Sequence, residues 1–292
     1  MNYLRHFGLR EPPFGITPDT TYFFACRSIQ EALNTLLVAV ANGEGFIKIT
    51  GEVGTGKTLL CRKFLATLDS GWISAYVPNP SFAPGTLYLA LAEELGIPLE
   101  PGVDQHHLLK AIARTLLDFA RQRKRVVLCM DESQAMPLET LEALRLLTNL
   151  ETEKRKLLQV VLFGQPELDR KLASPSIRQL LQRITFQHHM GALEESEVGA
   201  YVAHRLAVAG CIGRPILSAG ALRVLHRASR GVPRIINVLM HKALLLTYGE
   251  GRWTVERKHV RLAASDTPAA ASLSRWSWWK WPPSAAARTG SA

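Results

Sequence analysis

The stretch that decides the fold runs from Phe46–Thr50 through Gly51-Glu52-Val53-Gly54-Thr55-Gly56-Lys57-Thr58 into the run Leu59–Phe64. The first five residues are mostly apolar and predict a buried strand, whereas the last run is typical of a helix. The eight residues between them match G-x-x-x-x-G-K-[ST]. Glycines in such a loop let backbone N–H groups surround phosphates at a helix N-terminus. Strand, loop and helix in this order therefore predict a phosphate-binding loop (P-loop).

Two side chains of this loop have predicted roles of their own. Lys57 is expected to reach the β- and γ-phosphates of a nucleotide, and the hydroxyl of Thr58 is expected to bind Mg²⁺. A glycine-rich turn without a ligand is the alternative interpretation. The predicted nucleotide-binding residues are Gly51, Glu52, Val53, Gly54, Thr55, Gly56, Lys57, Thr58 and Leu59.

A second signal comes from an acidic pair. The apolar run Val126–Met130 leads directly into Asp131 and Glu132. Carboxylates at the end of a buried strand are costly unless they have a function. We predict that Asp131 holds Mg²⁺ and that Glu132 orients and polarises an attacking water molecule. The alternative is a strand that simply ends in a solvated acidic loop.

The pattern along the chain predicts an α/β domain followed by a helical one. Five apolar runs are typical of strands covered on both faces, and segments with helical period separate them. This alternation predicts a five-stranded, mostly parallel sheet flanked by helices. Helical stripes alone continue after about residue 191. The predicted units are an α/β nucleotide-binding domain (1–190), a small helical lid (191–264) and a mostly disordered, Trp-rich tail (265–292). The five predicted strands are Phe46–Thr50, Ile73–Val77, Val126–Met130, Val160–Phe163 and Ile184–Phe186.

Composition narrows the class of protein. With 47% hydrophobic and 21% charged residues, the chain is typical of a soluble globular protein, and no apolar run approaches the length of a membrane-spanning helix. The N-terminus does not resemble a signal peptide, so a cytoplasmic location is expected. The four cysteines lie far apart and form no zinc-type pair.

The net charge of +10 is concentrated in residues 191–292, which hold 14 basic and 6 acidic residues. Such an excess permits nucleic acid, anionic lipid or an acidic protein surface as a partner. Two basic features stand out. Arg223, Arg227 and Arg230 share one helix face, which is either a contact for DNA phosphates or an ordinary solvated face. The Trp-rich tail is either a peptide that contacts a membrane surface or partner, or a segment that packs loosely on its own domain. The aromatic and basic residues on which this interpretation depends are Arg275, Trp276, Trp278, Trp279, Lys280 and Trp281.

Several further motifs occur in a fixed order, and together they carry a family resemblance. Over about residues 1–262 the chain resembles the AAA+ ATPases of the secretion and pilus-biogenesis type, the general secretion pathway protein A (ExeA-like) family. Overall likeness favours the branch that serves the mannose-sensitive haemagglutinin (MSHA) pilus. The motifs are Phe7-Gly8-Leu9, Pro13-Phe14, Thr17-Pro18-Asp19, Gln30–Leu33, the P-loop, Asp131–Gln134, Gly164–Leu168, Gln182-Arg183-Ile184 and Gly231–Asn237.

The resemblance implies roles for three more residues. Gln165 matches the polar residue that contacts the γ-phosphate or the attacking water. Arg183 matches the arginine finger that reaches a neighbouring subunit's γ-phosphate, although Arg178 nearby is an alternative. Arg234 matches the second sensor, which couples the nucleotide state to the lid. The segment from Phe7 to Phe24 is expected beside the adenine, or serves only as an apolar anchor.

The implied function is Mg²⁺-dependent ATP hydrolysis that drives assembly of an MSHA-type pilus or a secretion apparatus. ATP and Mg²⁺ are the expected ligands, and a homo-oligomer that contacts inner-membrane proteins of that machine is the expected assembly. The location would be cytoplasmic, peripheral at the inner membrane. General-secretion relatives continue into a membrane helix and a peptidoglycan-binding domain, so direct contact with the cell wall is not expected here.

Two other functions stay open at this stage. One is a DNA-binding regulatory ATPase of the transposition type, since the last third of the chain is basic. The other is a scaffold that binds ATP and barely hydrolyses it.

Overall fold

The five predicted apolar runs form one sheet in the computed structural model, which describes residues 3–99, 102–152, 155–211 and 215–270. A separate antiparallel hairpin precedes the fourth strand of that sheet and was not predicted. The strands are β1 (Phe46–Gly51), β2 (Trp72–Val77), β3 (Arg125–Met130), β4 (Glu151–Thr152), β5 (Arg155–Lys156), β6 (Gln159–Gly164) and β7 (Ile184–Met190).

The sheet has the spatial order β2-β3-β6-β1-β7, and every neighbouring pair is parallel. The predicted five-stranded α/β architecture is therefore confirmed. Because β1 lies between β6 and β7, its carboxyl end adjoins the ends of both strands. The P-loop that follows β1 is thus placed beside Gln165 on one side and the start of the lid on the other.

Coverage on both faces was predicted for all five strands, and this is wrong for β2 and β7. Both lie at sheet edges, and their side chains are only partly buried. In β7 the exposed Thr185, Gln187 and His189 alternate with more buried residues. The strand continues in this alternating pattern to Met190, four residues beyond the predicted end at Phe186.

Helices cover both faces of the sheet because successive residues of a strand point to opposite sides. In β1, Ile47 and Ile49 face a core shared with the first helices and the lid, whereas Phe46 faces a second core. The helices of the α/β domain are α1 (Tyr3–His6), α2 (Arg27–Asn42), α3 (Lys57–Thr67), α4 (Pro84–Glu94), α5 (Gln105–Arg121), α6 (Leu138–Leu147), α7 (Glu167–Leu172) and α8 (Arg178–Leu181).

The lid consists of helices alone after β7 ends at Met190. Ser218 caps the second helix by accepting from the Ala221 N–H group, and Pro233 opens the third, where its missing N–H group costs nothing. The lid core continues into the core on one sheet face, so the two parts pack against each other. The lid helices are α9 (Glu195–Val208), α10 (Ala219–Ser229), α11 (Pro233–Gly249) and α12 (Arg257–Ser265).

The described chain continues past α12 for five residues. Lys242 Nζ donates to Asp266 Oδ2 at 2.8 Å, and Thr267 Oγ1 donates to the Ala263 carbonyl at 2.7 Å. The predicted Trp-rich segment around Trp276–Trp281 lies outside the described residues. Among the residues that the structure covers, no helix has both the length and the apolar character that a bilayer crossing demands.

Candidate nucleotide-binding site

The P-loop turns tightly between β1 and α3. Gly54 and Gly56 adopt positive φ angles of +83° and +100°, a region that L-residues with side chains rarely enter. Gly56 is the N-cap of α3, so the free N–H groups of the first helical turn open toward the loop. Partial positive charge at this helix end suits a phosphate group. Gly54 and Gly56 are therefore required by the backbone.

Lys57 is buried at the start of α3. Its Nζ atom donates to the carbonyl oxygens of Gly51 at 2.7 Å and Glu52 at 3.0 Å. Burial lowers the pKa of the ammonium, while the nearby carboxylates of Glu132 and Asp131 oppose that shift. The lysine is thus held against the loop by two main-chain carbonyls, with one N–H donor left for a ligand.

Thr58 and Asp131 meet directly, as the prediction of a shared Mg²⁺ site requires. The Thr58 hydroxyl donates to Asp131 Oδ2 at 2.6 Å, and Asp131 is only 2% exposed. Burial raises the pKa of this carboxyl group, and the hydrogen bond from Thr58 opposes the shift. A hydroxyl and a carboxylate side by side are oxygen donors of the kind that Mg²⁺ prefers. The donor set therefore fits the predicted ion.

Tyr76, at the end of β2, is a site residue that the sequence reasoning missed. Its hydroxyl donates to Asp131 Oδ2 at 3.4 Å, and its main-chain N–H donates to Glu94 Oε2 at 2.8 Å. Burial raises the pKa of the phenol, as does the charge of Asp131. Asp131 Oδ2 therefore faces two hydroxyl groups from different elements, Thr58 on α3 and Tyr76 on β2.

Glu132 is held by two side-chain amides. Gln165 Nε2 donates to Glu132 Oε2 at 3.1 Å, and Gln134 Nε2 donates to the same oxygen at 2.5 Å. Gln134 also accepts the Gln165 main-chain N–H at 3.0 Å, so one glutamine bridges the two predicted catalytic residues. Glu132 itself has a φ of +51°, unusual for a residue with a side chain. The Gln134 bridge was not predicted, although the residue belongs to a motif singled out above.

Arg234 lies over the P-loop from the lid. It is the second residue of α11, and its main-chain N–H donates to the Gly54 carbonyl at 3.2 Å. Arg234 lines the same cleft as Lys57, Thr58 and Glu132. The geometry thus brings the predicted sensor of the lid to the phosphate loop, as the family resemblance implied.

Arg183 lies away from this cleft. Its Nη1 atom donates to Asn149 Oδ1 at 2.6 Å and to the Arg145 carbonyl at 3.3 Å, both at the end of α6. Arg178, the alternative finger, is exposed at the start of α8. Neither arginine belongs to the cleft of its own chain, so a role for either requires a neighbouring subunit.

The far end of the cleft is formed by residues 15–19. The lid holds this N-terminal loop, and these lid contacts were missed. The buried Arg205 donates from Nε to the Pro13 carbonyl at 2.5 Å, and Asn237 Nδ2 donates to the Gly15 carbonyl at 3.0 Å. The Arg205 guanidinium also stacks over the Tyr22 ring, 4.4 Å from its centroid. Apolar periodicity placed α9 correctly but gave no signal for a buried arginine on it.

Phe14 is buried in the core, whereas Phe23 and Phe24 are half-buried and pack against it. These contacts are those of an apolar anchor, and the position of this segment beside the adenine stays a prediction.

The parallel sheet, the P-loop and the acidic pair define the class of fold, that of a P-loop AAA protein. Residues 40–172 match the family model of the AAA domain. Over 274 residues the chain is 41% identical to general secretion pathway protein A of Aeromonas hydrophila, an alignment that covers 94% of this chain and 50% of that protein. The chain therefore spans about half the length of this curated relative.

Solved structures share the fold at low identity. The ORC2 protein of Aeropyrum pernix, in ADPNP–ADP complexes, has a TM-score of 0.64 and 17% identity, covering 88% of this chain and 73% of that one. The Holliday junction branch migration motor RuvB of Thermotoga maritima has a TM-score of 0.55 and 15% identity, covering 84% and 70%. These likenesses concern the fold of the AAA module and its lid.

Proposed function

We propose that this protein hydrolyses ATP in the presence of Mg²⁺ and uses the resulting lid movement to drive assembly of a secretion or pilus apparatus. The main support for ATP hydrolysis is the hydrogen bond of 2.6 Å between the Thr58 hydroxyl and Asp131 Oδ2. It joins the P-loop to the acidic pair at the point where the phosphates would lie. Glu132 and Gln165 extend the same arrangement by one more hydrogen bond.

Each residue of the site has a definite task in this proposal. The N–H groups of the loop and Lys57 bind the phosphates, and Thr58 and Asp131 hold the metal ion. Thr58 and Asp131 would hold Mg²⁺ there, and the ion would supply Lewis-acid chemistry that neutralises negative charge on the phosphates. Glu132 accepts a proton from the attacking water, and Gln165 orients that water or the γ-phosphate.

The lid would respond to the state of the site through α11. Arg234 touches the P-loop main chain, and Asn237, one turn further along α11, holds the N-terminal loop at the other end of the cleft. One helix therefore contacts both ends of the cleft. Loss of the γ-phosphate would change the contact of Arg234 and so the angle at which the lid rests on the sheet.

The cellular role rests on likeness to the secretion-pathway relative. We extend it to an assembly ATPase at the cytoplasmic face of the inner membrane, most similar in role to the MSHA pilus ATPase MshM. Its partners would be inner-membrane proteins of that machine. Arg183 lies outside its own cleft, which supports a homo-oligomer in which the finger serves a neighbour. The Trp-rich segment of the tail, around Trp276–Trp281, is proposed as a second contact with the membrane surface.

The hydrolytic part is tested with Glu132→Gln. The variant should bind ATP with wild-type affinity and lose hydrolysis by roughly 10²-fold or more, because only proton transfer is removed. Glu93→Gln, at an exposed position on α4, is the matched control. A wild-type protein that binds ATP but releases no phosphate would favour the scaffold instead.

The cellular part is tested in the source organism with Glu132→Gln introduced at the chromosomal locus. Secreted proteins in the medium and pili on the surface are both scored. Loss of pili with normal secretion would support the pilus assignment, and the reverse would support a secretion apparatus. Normal levels of both would contradict the assembly role while leaving the ATPase activity intact.

A further inference from the structure

The outer surface of the lid carries an arginine face that the nucleotide site does not use. Arg223 and Arg227 are exposed on α10, Arg230 is exposed at its C-cap, and two arginines of the adjacent α12 add to them. We define the basic face as Arg223, Arg227, Arg230, Arg257 and Arg261. Within the described part of the chain, none of these five guanidinium groups has an ion pair or a hydrogen bond. Their charges are therefore available to a partner.

The two helices form a continuous surface because of one glycine. The Arg257 side chain lies across α10 at Gly220, where a Cβ atom would come within 2.3 Å of Arg257 Nε. Leu217 and Val255 form a parallel bridge just before the two helices, so α10 and α12 begin side by side. Arg261 follows Arg257 by one turn and faces the same side of α12.

The row on α10 is long and regular. Gly220, where Arg257 lies, and the arginines at 223, 227 and 230 follow helical spacing within one side of the helix. At 1.5 Å per residue, the row extends over about 15 Å. A B-DNA duplex presents one phosphate charge per roughly 1.7 Å of its axis, so about nine such charges, counted over both strands, lie along this length. An extended polyanion of this kind can engage the whole row at once.

The apolar residues of α10 argue against a lipid surface. Val224, Leu225 and Ala228 are buried in the lid core, so the helix has no free apolar side to enter a bilayer. Helices that bind membranes in the interface plane combine basic residues with such a side. Guanidinium groups spaced along a rigid helix favour contacts with a phosphate backbone, although Glu195 lines the same surface depression as the three arginines of this row.

We propose that the basic face binds the phosphate backbone of duplex DNA without sequence preference. The face ends close to the nucleotide site: Arg230 caps α10 in a left-handed conformation, φ +52°, and Arg234 follows four residues later. Gly231 between them accepts the Leu193 N–H at 2.9 Å, and a Cβ atom there would lie 2.1 Å from the Leu193 carbonyl oxygen. This tight turn joins the DNA-binding face to the sensor arginine.

The test measures binding of a fluorescein-labelled 30-base-pair duplex by anisotropy over a salt series, with the full chain, Mg²⁺ and a non-hydrolysable ATP analogue. The triple variant Arg223→Gln/Arg227→Gln/Arg257→Gln should weaken binding about tenfold or more. Its slope of log K against log salt should be smaller by about 2.7, or 0.9 for each lost phosphate contact. Arg230 is not substituted, because its left-handed backbone conformation forms the end of α10.

A matched control removes the same charge elsewhere. Arg27→Gln/Arg121→Gln/Arg170→Gln alters three exposed arginines on α2, α5 and α7 and should bind DNA with nearly wild-type affinity and slope. Equal losses in the two triple variants would overturn the proposal, because binding would then follow net charge alone. ATP hydrolysis by each preparation is the measure of intact folding.

Gly220→Ala tests the geometry without changing any charge. Alanine is a better helix former than glycine, so the helix itself is not harmed. Its methyl group would displace Arg257, and DNA binding should weaken by about threefold. An unchanged affinity for DNA would show that Arg257 is not part of the basic face. Binding to vesicles of phosphatidylglycerol is measured as well. If the Arg223 triple variant loses vesicle binding but keeps duplex binding, the ligand of the basic face is a lipid headgroup and the DNA proposal is overturned.

Discussion

The main chain of Arg234 rests on that of Gly54, with an N–H to carbonyl distance of 3.2 Å. A Cβ atom placed on Gly54 would lie 2.5 Å from the Arg234 Cβ atom, so only hydrogen fits between the P-loop and the lid helix α11. The lid therefore contacts the loop through the backbone of Arg234. Any change in the loop that moves Gly54 must move α11 with it.

Gly54→Ala should lower the affinity for ATP by about tenfold or more. An alanine at φ +83° costs about 1–2 kcal/mol, and its methyl group would also separate the loop from α11. Binding of a fluorescent ATP analogue measures the change. Gly96→Ala is the matched control, because Gly96 has a φ of +69° and open space around it. If both variants bind equally well, contact with the lid contributes nothing to affinity.

Tyr76→Phe should raise the Mg²⁺ concentration needed for half-maximal hydrolysis by about threefold. The variant removes one of two hydroxyl groups on Asp131 Oδ2, an interaction of about 0.5–1.5 kcal/mol. The affinity for ATP measured in EDTA should not change. This control distinguishes a misplaced Asp131 carboxylate from a general loss of folded structure. Tyr88→Phe, at a buried position on α4, controls for loss of a phenol hydroxyl. An unchanged Mg²⁺ requirement would remove Tyr76 from the site.

Arg183→Ala should lower the turnover number by about 10³-fold, the usual effect of losing an arginine finger. Arg183 and Glu132 would serve one reaction from different subunits. Mixing Arg183→Ala with Glu132→Gln should therefore restore part of the activity, because some interfaces then combine an intact arginine with an intact glutamate. Phosphate release from titrated mixtures measures this.

Arg178→Ala is the comparison for that experiment and should keep activity within about threefold of wild type, as an exposed residue outside the machinery would. If Arg178→Ala instead shows the large loss and the complementation by mixing, the finger is Arg178. Mixtures that stay inactive for both arginines would contradict shared sites altogether.

Arg205→Lys should reduce the free energy of unfolding by about 1.5–3 kcal/mol, the range for hydrogen bonds to charged groups. A lysine ammonium cannot reproduce a planar group that bonds the Pro13 carbonyl while lying over the Tyr22 ring. Urea denaturation gives the difference. The exposed Arg114→Lys on α5 should change stability by less than about 0.5 kcal/mol. Equal effects would show that the buried contacts of Arg205 are not a source of stability.

The sequence predicted the parts of the fold that repeat a simple pattern. Apolar runs such as Val126–Met130 are continuous in buried strands, so the central sheet could be recognised from them. The edge strand β7 alternates instead, and it was therefore predicted too short, ending at Phe186 rather than Met190. The hairpin β4–β5 has only two residues in each strand, which is too few for any periodicity.

Some residues of the candidate site could likewise be predicted from the sequence, and others could not. Loop and strand-end residues, Lys57, Thr58 and Asp131, follow from local motifs because one short segment fixes their surroundings. Tyr76 could not be found locally, since its contact with Asp131 depends on the pairing of β2 with β3. The register places Tyr76 opposite Cys129, two residues before that carboxylate. Arg205 is harder still, because its partners lie about 190 residues away in the chain.

That separation has a consequence for how the protein is made. The Gly15 carbonyl receives its hydrogen bond from Asn237, 222 residues later. At a synthesis rate of about 5–20 residues per second, the N-terminal loop waits roughly 10–45 s on the ribosome before this partner emerges. During that interval the sheet can form while the end of the cleft at residues 15–19 stays open. The cleft therefore combines segments made at very different times, and its N-terminal loop gains this hydrogen bond only after Asn237 has been synthesised.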